Sequence, residues 1–309
     1  MRAAGIRRIG DAVEYLELPD PRPLRPDEVL IEVRSCGVGN WDEIARTGGW
    51  DLGIRPPMAL GVEAAGTVAA VGSNVLDIKV GDVVATHSLP LRDQGSWAEL
   101  LIAAGRDVAV VPPEVSREIA GALPVPALTA DQVIADGLMV TAGQTVLVNG
   151  AGGVTGGMLV QLAVHYGATV IATAGKSSTD RLVELGAATV VDYHQPDWPD
   201  QVRKLTGGGA DGAANAVPAG AREALKAVRD GGRLVTITSD PPTSARNITE
   251  TAVQVVPDGT RLQRLVTLAA NGTLSLDTTD GFALEYAAAA LAAAEHGTQG
   301  AAVTLRPSG

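Results

Sequence analysis

A chain of 309 residues, 46% hydrophobic and 19% charged, is long enough to bury a sizeable core in about two domains of ~150 residues, which excludes a small disulfide scaffold and a disordered chain. One cysteine and four histidines leave almost no material for a zinc site, which needs three or four converging N/S ligands, and no pair for an intrachain disulfide. With 24 basic against 35 acidic residues the net charge is −11, which repels nucleic acid and requires local positive potential wherever a polyanionic ligand binds.

The opening stretch MRAAGIRRIGD is basic but lacks a following apolar run of signal-peptide length. The longest alanine-rich run, residues 287–294, falls far short of the ~20 residues that cross a bilayer. The expectation is a cytosolic protein with no membrane partner. Up to residue 112 the chain alternates in short segments, and Val29 to Val33, Gly66 to Val71, Val80 to Ala85 and Trp97 to Ile102 read as strands. Pro112 and Pro113 break that pattern.

Beyond them, strands alternate with helix-length segments. Thr145 to Asn149 is the first strand, followed by a helix over about 154–166 whose Val154, Met158, Leu162 and Tyr166 fall on one stripe. Thr169 to Thr173, Thr189 to Asp192, Gly212 to Val217, Arg233 to Thr238 and Thr251 to Val256 complete six strands. Nearly continuous apolar strands separated by helices predict a parallel sheet covered on both faces. From Gly272 the chain is expected to return to the first domain, with a helix through 287–294 and a last strand at Ala302 to Leu305.

Between the first of these six strands and its helix lies Asn149-Gly150-Ala151-Gly152-Gly153-Val154-Thr155-Gly156-Gly157. Gly150 and Gly152 let the backbone turn tightly and approach a pyrophosphate, whose charge meets the unpaired amides of a helix N-terminus. The last fingerprint position is Thr155, with Gly156 one place late. A carboxylate normally follows the second strand where NAD is selected. Here Thr173-Ala174-Gly175-Lys176-Ser177-Ser178 stands there, with no acid before Asp180. Lys176 and Ser177 suit a 2′-phosphate, so NADPH is the expected cofactor, although Lys176 also reads as an ordinary solvated lysine.

Several motifs, in order along nearly the whole chain, resemble one family. They are Cys36-Gly37-Val38-Gly39-Asn40-Trp41-Asp42, Gly61-Val62-Glu63-Ala64-Ala65-Gly66, Val80-Gly81-Asp82-Val83, Leu128-Thr129-Ala130, the glycine turn, Val191-Asp192-Tyr193 and Gly231-Gly232-Arg233-Leu234-Val235. The chain is similar to the medium-chain dehydrogenase/reductases, and within them to the zinc-free quinone oxidoreductases related to zeta-crystallin. That resemblance implies an α/β protein with a GroES-like, β-rich catalytic domain of residues 1–112 and 272–309. It implies a Rossmann domain, a doubly wound parallel sheet, of residues 113–271, with the cofactor in the cleft. It also implies a homodimer through the last Rossmann strand, here Thr251 to Val256, which would cover an unpaired edge. Zinc-dependent relatives carry a cysteine and a histidine where Gly39 and Val62 stand, and a four-cysteine lobe absent here, so no metal is expected. The resemblance carries over Thr129 to the nicotinamide carboxamide, Gly153 and Val154 to the pyrophosphate and Tyr193 to the 2′-phosphate. Val217, Ile237 and Thr238, at strand ends, complete the expected cofactor set. The chain departs from the family at Gly39-Asn40 and Ile44, where asparagine-proline and a tyrosine are usual, and at Gly300-Ala301, where glycine-lysine is usual.

Hydride transfer to a quinone or α,β-unsaturated carbonyl needs the nicotinamide C4 against the acceptor and donors for the developing oxyanion. Asn40 is a candidate donor, or else the cap of a short helix that Gly48 and Gly49 end. Trp41 reads as an aromatic wall or as core. His87 reads as a proton donor or as a surface-loop histidine. Asp42, Glu43 and Arg46 are expected to pair on an exposed helix face, and Glu63 to be a buried carboxylate bonded to backbone. His165 and His194 carry no expected role. The expected function is NADPH-dependent, zinc-independent reduction of a quinone or enone. The alternatives are a nonenzymatic NADPH-binding sensor or scaffold and a tailoring enzyme for a specialised metabolite.

Overall fold

A computed structural model describes residues 1–238 and 246–307. Contacts divide the chain into two compact units, one of Met1–Leu128, Val256–Gly272 and the segment from Leu276 onward, the other of Thr129–Val255 with Thr273–Ser275.

The first unit opens with β1 (Arg2–Ile6) and β2 (Glu14–Glu17), an antiparallel pair that the weakly patterned N-terminal sequence did not announce. β3 (Glu28–Val38) follows, then the helix α1 (Asn40–Arg46), β4 (Met58–Ala59), β5 (Glu63–Val71), β6 (Val83–His87), β7 (Leu100–Ala104) and β8 (Val108–Val110). Strand alternation in β3 sends Val29 and Ile31 into a core with Val68, Val84 and Ala103, and leaves Glu32 and Arg34 outside as an ion pair at 2.9 Å. β6 begins three residues later than the alternation suggests. Gly81 turns the chain at φ +93°, and the Asp82 carboxylate accepts the Lys79 N–H at 2.8 Å. Trp97 also precedes its strand: its indole is buried and donates to the Gly37 carbonyl at 3.1 Å. Two helices close this stretch, α2 (Arg117–Ala122), capped by the Ser116 hydroxyl, and α3 (Pro124–Asp131), which carries the chain into the second unit.

The second unit is a sheet of six parallel strands, β9 (Thr145–Asn149), β10 (Thr169–Ala174), β11 (Thr189–Asp192), β12 (Ala210–Asn215), β13 (Val228–Thr236) and β14 (Thr249–Ala252), in the order β11-β10-β9-β12-β13-β14. The connecting helices are α4 (Val154–His165), α5 (Thr179–Glu184), α6 (Trp198–Leu205) and α7 (Ala221–Ala227). Val146, Leu147 and Val148 in β9 are all buried, as a strand covered on both faces requires. The strand order reverses on either side of β9, and ligands of such sheets bind at the carboxyl ends of the strands flanking that point. β12 and β13 each end two residues before the expected Val217 and Thr238: there the Val217 N–H turns to Asn215 Oδ1 at 3.3 Å and the Thr238 N–H to Thr236 Oγ1 at 3.2 Å. β14 lies earlier than the expected Thr251 to Val256: Val253 donates the last ladder bond to Thr236, and Asp258 then caps the next helix.

That helix, α8 (Gly259–Ala270), packs within the first unit, where the Gln263 amide bonds both polar groups of Val110 at 2.9 Å. β15 (Phe282–Ala283), α9 (Ala287–His296) and β16 (Val303–Arg306) complete the chain. β16 joins the far half of β3, giving a sheet ordered β15-β16-β3-β5-β6-β8 with β7 on the near half of β3. The expected return of the chain to the first unit is therefore built by strand pairing with β3.

Candidate functional site

At the carboxyl end of β9 the chain turns over Gly150, whose φ is +85°. A Cβ there would lie 2.6 Å from Val217 Cγ2, so only glycine fits both the angle and the space. Gly153 caps α4, and a Cβ on it would meet nothing nearer than the Gly150 carbonyl oxygen at 4.0 Å. At Gly156 a Cβ would run into that same oxygen and the Ala151 backbone. Gly156 is thus the glycine of close helix-to-turn packing, and the working spacing is Gly150, Gly153, Gly156. The helix ladder starts with Gly157 N–H to the Gly153 carbonyl at 2.9 Å. The first-turn amides of Val154, Thr155 and Gly156 accordingly have no helical acceptor, on the side Gly153 leaves open. That arrangement fits a pyrophosphate.

A polar rung ties the floor of this turn across four strands. Thr173 of β10 donates to Asn149 Oδ1 at 2.7 Å, and Asn149 Nδ2 donates to Asn215 Oδ1 at 2.8 Å. Asn215 Nδ2 then reaches the Val217 carbonyl at 3.0 Å and the hydroxyls of Thr236 and Thr238 at 3.1 and 3.2 Å. Thr173 Oγ1 also accepts the Gly150 N–H at 3.1 Å. The side chains of Asn149, Thr173, Asn215 and Thr236 are buried with partners, so the rung fixes the turn and the half-buried Val217, Ile237 and Thr238 together.

The loop after β10 leaves Lys176 and Ser177 exposed beside the exposed Tyr193, whose Cε1 lies 3.9 Å from where a Cβ on Gly175 would stand. Arg181, on α5, donates to the Gly152 carbonyl at 2.7 Å. Its guanidinium brings to the glycine turn the local positive charge that a chain of net charge −11 needs there. Sequence reading missed Arg181. A cation one turn into the helix after the Lys176 loop was the available signal. Thr129 lies buried in α3, in the same unit.

Asn40, Trp41 and His87 belong to the first unit. Gly39, not Asn40, caps α1: Asn40 is the first helical residue and exposed, while Asp42 Oδ2 accepts the Gly39 N–H at 2.8 Å. The C-terminal reading holds, since Gly48 follows the helix at φ +82°. Trp41 lies half-buried, its indole packed so closely on Gly39 that a Cβ there would run into the ring. Glu43 and Arg46 form the expected pair at 2.6 Å. Asp42 differs from expectation: it is buried, its Oδ1 has no partner, and burial pushes it up to about 8.

Glu63 is buried as expected, Oε2 accepting the Val125 N–H at 2.7 Å, and burial together with the nearby Asp42 pushes it well above the ordinary carboxylate range. His87, its cross-strand neighbour, is the last residue of β6 rather than a loop residue. Its Nδ1 bonds the Val62 carbonyl at 3.0 Å, its Nε2 is buried without a partner, and burial lowers it to about 4. His87 is therefore neutral at pH 7 and does not supply the acid form a proton donor needs.

Residues 25–113 match the model of the alcohol dehydrogenase GroES-like domain, and residues 154–261 that of the zinc-binding dehydrogenases. The chain is 35% identical over 189 residues to the synaptic vesicle membrane protein VAT-1 homolog of Danio rerio, covering 61% of this chain and 38% of that one. It is 33% identical over 184 residues to the quinone oxidoreductase of Sus scrofa, covering 59% and 55%. The chain thus spans about half the length of the curated relatives it matches. Among solved structures, an NAD-dependent alcohol dehydrogenase shares 28% identity at TM-score 0.89 over 99% of both chains. Mycobacterial Rv1454c complexed with NADPH shares 27% at TM-score 0.87, over 99% of this chain and 100% of that one. Zinc does not fit the early motifs here. Gly39 and Val62 offer no ligand atom, Trp41 fills the space beside Gly39, and no group of three or more His, Cys, Asp or Glu among the described residues is placed to hold a metal ion. Nor is any helix among them long and apolar enough to cross a membrane.

Proposed function

The chain belongs to the medium-chain dehydrogenase/reductases of quinone-oxidoreductase type, and from that premise we propose that it is a cytosolic, NADPH-dependent, zinc-independent oxidoreductase reducing quinones or α,β-unsaturated carbonyl compounds. The observation that carries this reading is the glycine cradle of Gly150, Gly153 and Gly156, with Arg181 behind it and Lys176 in place of the acid that would select NAD. When bound, the cofactor supplies hydride from the nicotinamide C4. The amides of the first turn of α4, that of Val154 among them, receive the pyrophosphate, with Gly152 and Gly153 leaving the backbone open to it. Lys176, Ser177 and Tyr193 take the 2′-phosphate. Thr129 holds the carboxamide, and Val217, Ile237 and Thr238 border the dinucleotide on the floor fixed by the polar rung. Asn40 donates to the acceptor's carbonyl oxygen or orients the nicotinamide ribose, and Trp41 offers a flat wall. The β14 edge joins two copies as a homodimer.

The test is NADPH consumption against a panel of quinones and enones. Saturable turnover of at least one supports the reading. Tight NADPH binding with turnover of none favours a nonenzymatic binding protein, which Ile44 and Ala301 keep in view because the family's usual tyrosine and lysine are absent there.

A further inference from the structure

The loops that follow β12 and β13 spend their backbone N–H groups inside the protein. Val217 N–H goes to Asn215 Oδ1 at 3.3 Å, Ile237 N–H to the Asn215 carbonyl at 3.0 Å and Thr238 N–H to Thr236 Oγ1 at 3.2 Å, while Pro218 has none to give. A ligand arriving at these loops meets a surface already set. One buried amide sets it. Asn215 holds Val217 by both polar groups, since Nδ2 donates to its carbonyl at 3.0 Å while Oδ1 accepts its N–H, and the same Nδ2 reaches Thr238 Oγ1 at 3.2 Å. The orientation of this amide is fixed. Oδ1 also accepts Asn149 Nδ2 at 2.8 Å, so a flipped side chain would set its NH2 against two N–H donors and its oxygen against the Val217 carbonyl. Asn149 is fixed in turn from the glycine turn, because Gly150 N–H donates to Thr173 Oγ1, whose hydroxyl donates to Asn149 Oδ1 at 2.7 Å. The donors therefore run one way, from Gly150 to Val217. Gly220 leaves room for the central bond: a Cβ there would stand 2.9 Å from both Asn149 Nδ2 and Asn215 Oδ1.

We propose that Asn215 is a positioning residue for the nicotinamide half of the cofactor, acting through Val217 and Thr238, whose places relative to the pyrophosphate turn it sets. The inference rests on reading the second unit as an NADPH site. It adds to that reading a single amide that keeps the two halves of the site in register, so that a cofactor seated by its pyrophosphate finds the walls for its other end already in place.

The measurement is calorimetric titration of the full chain with NADPH and with 2′-phospho-ADP-ribose, which keeps both phosphate groups of the cofactor and lacks the nicotinamide. The ratio of the two dissociation constants is the advantage that the nicotinamide half confers. Asn215→Asp keeps an oxygen for Asn149 and for the Val217 N–H but sets a second oxygen against the Val217 carbonyl. The advantage should fall about tenfold, the effect of a buried carbonyl left without its donor, and the added charge acts on the phosphates of both ligands alike. Asn215→Ser, neutral and too short to span these partners, should show the same fall if the buried acid prevents folding. Leu234→Ala opens a cavity at a buried position of β13 outside the rung, and should lower the melting temperature of the apo protein with the advantage unchanged. An unchanged advantage in both Asn215 variants, or an equal fall in Leu234→Ala, overturns the positioning role while leaving the cofactor reading intact. A wild-type chain that binds both ligands equally does the same. A wild-type chain that binds neither overturns the cofactor reading and this inference with it.

Discussion

Lys176 and Asp42 show how differently two ionisable side chains act in one molecule. Lys176 is solvent-exposed on the loop after β10, so its worth lies in what it meets when ligand arrives. Lys176→Glu should weaken NADPH by about tenfold or more and leave NADH nearly unchanged, measured as dissociation constants at fixed ionic strength; equal losses for both would remove it from the 2′-phosphate site. Asp42 acts inside the fold. Its value rises from 3.8 to about 8, so the folded chain holds a proton that the unfolded chain releases. The stability associated with that proton is fully present below 3.8 and lost as pH rises through about 8. His87 acts oppositely: lowered from 6.5 to about 4, its contribution is present above 6.5 and lost as pH falls through 4. Between pH 6.5 and 8, then, Asp42 gives a downward slope that His87 does not offset. Asp42→Asn mimics the protonated acid. It should make denaturation midpoints flatter across that window, removing up to about 1.4 kcal/mol per pH unit.

At the scale of elements, the turn between β9 and α4 separates folding from binding. Gly156→Ala would force a methyl against the Gly150 carbonyl oxygen, and overpacking of this kind costs about 1–3 kcal/mol; thermal denaturation of the apo protein should show it directly. Gly153→Ala meets no atom within 4.0 Å but its own turn, so the apo protein should lose only the cap preference of glycine over alanine, about 1 kcal/mol or less. The same methyl would stand where the pyrophosphate must approach, and NADPH affinity should fall at least tenfold. Much of this element was legible in sequence, because strand, glycines and helix are local and their spacing is physical. Gly156 was misplaced by one position because the fingerprint was read from Gly152, whereas the turn is built on Gly150 and Gly153. The polar rung was not legible: Asn149, Thr173, Asn215 and Thr236 are scattered along the chain and meet only through strand register. Arg181 carried a local signal, a cation in the helix after the Lys176 loop, but its partner, the Gly152 carbonyl, lies in another turn of the chain. In the first unit, burial turned Asp42 from an exposed helical acid into a protonated one, which spacing alone does not reveal.

For the whole molecule, a parallel sheet covered on both faces was legible in the alternation of strand and helix, whereas the spatial order of its strands came only from the structure, and the β14 edge is where the proposed assembly would act. Val253 N–H points inward to Thr236, so alternation turns the Ala252 N–H outward. Ala252→Pro would remove an outward donor without breaking the ladder to β13. Light scattering should then find a monomer with unchanged secondary structure in place of the proposed dimer; a dimer that persists would show that copies do not join by strand pairing at this edge. The packing of Trp41 on Gly39 reaches furthest beyond the present molecule. An indole seated on that glycine makes the order of mutation matter: a cysteine arriving at position 39 would first collide with the ring, and only a chain that had already given up Trp41 could accept it. With this tryptophan seated as it is, a metal-ligating side chain at position 39 is not reached by one substitution.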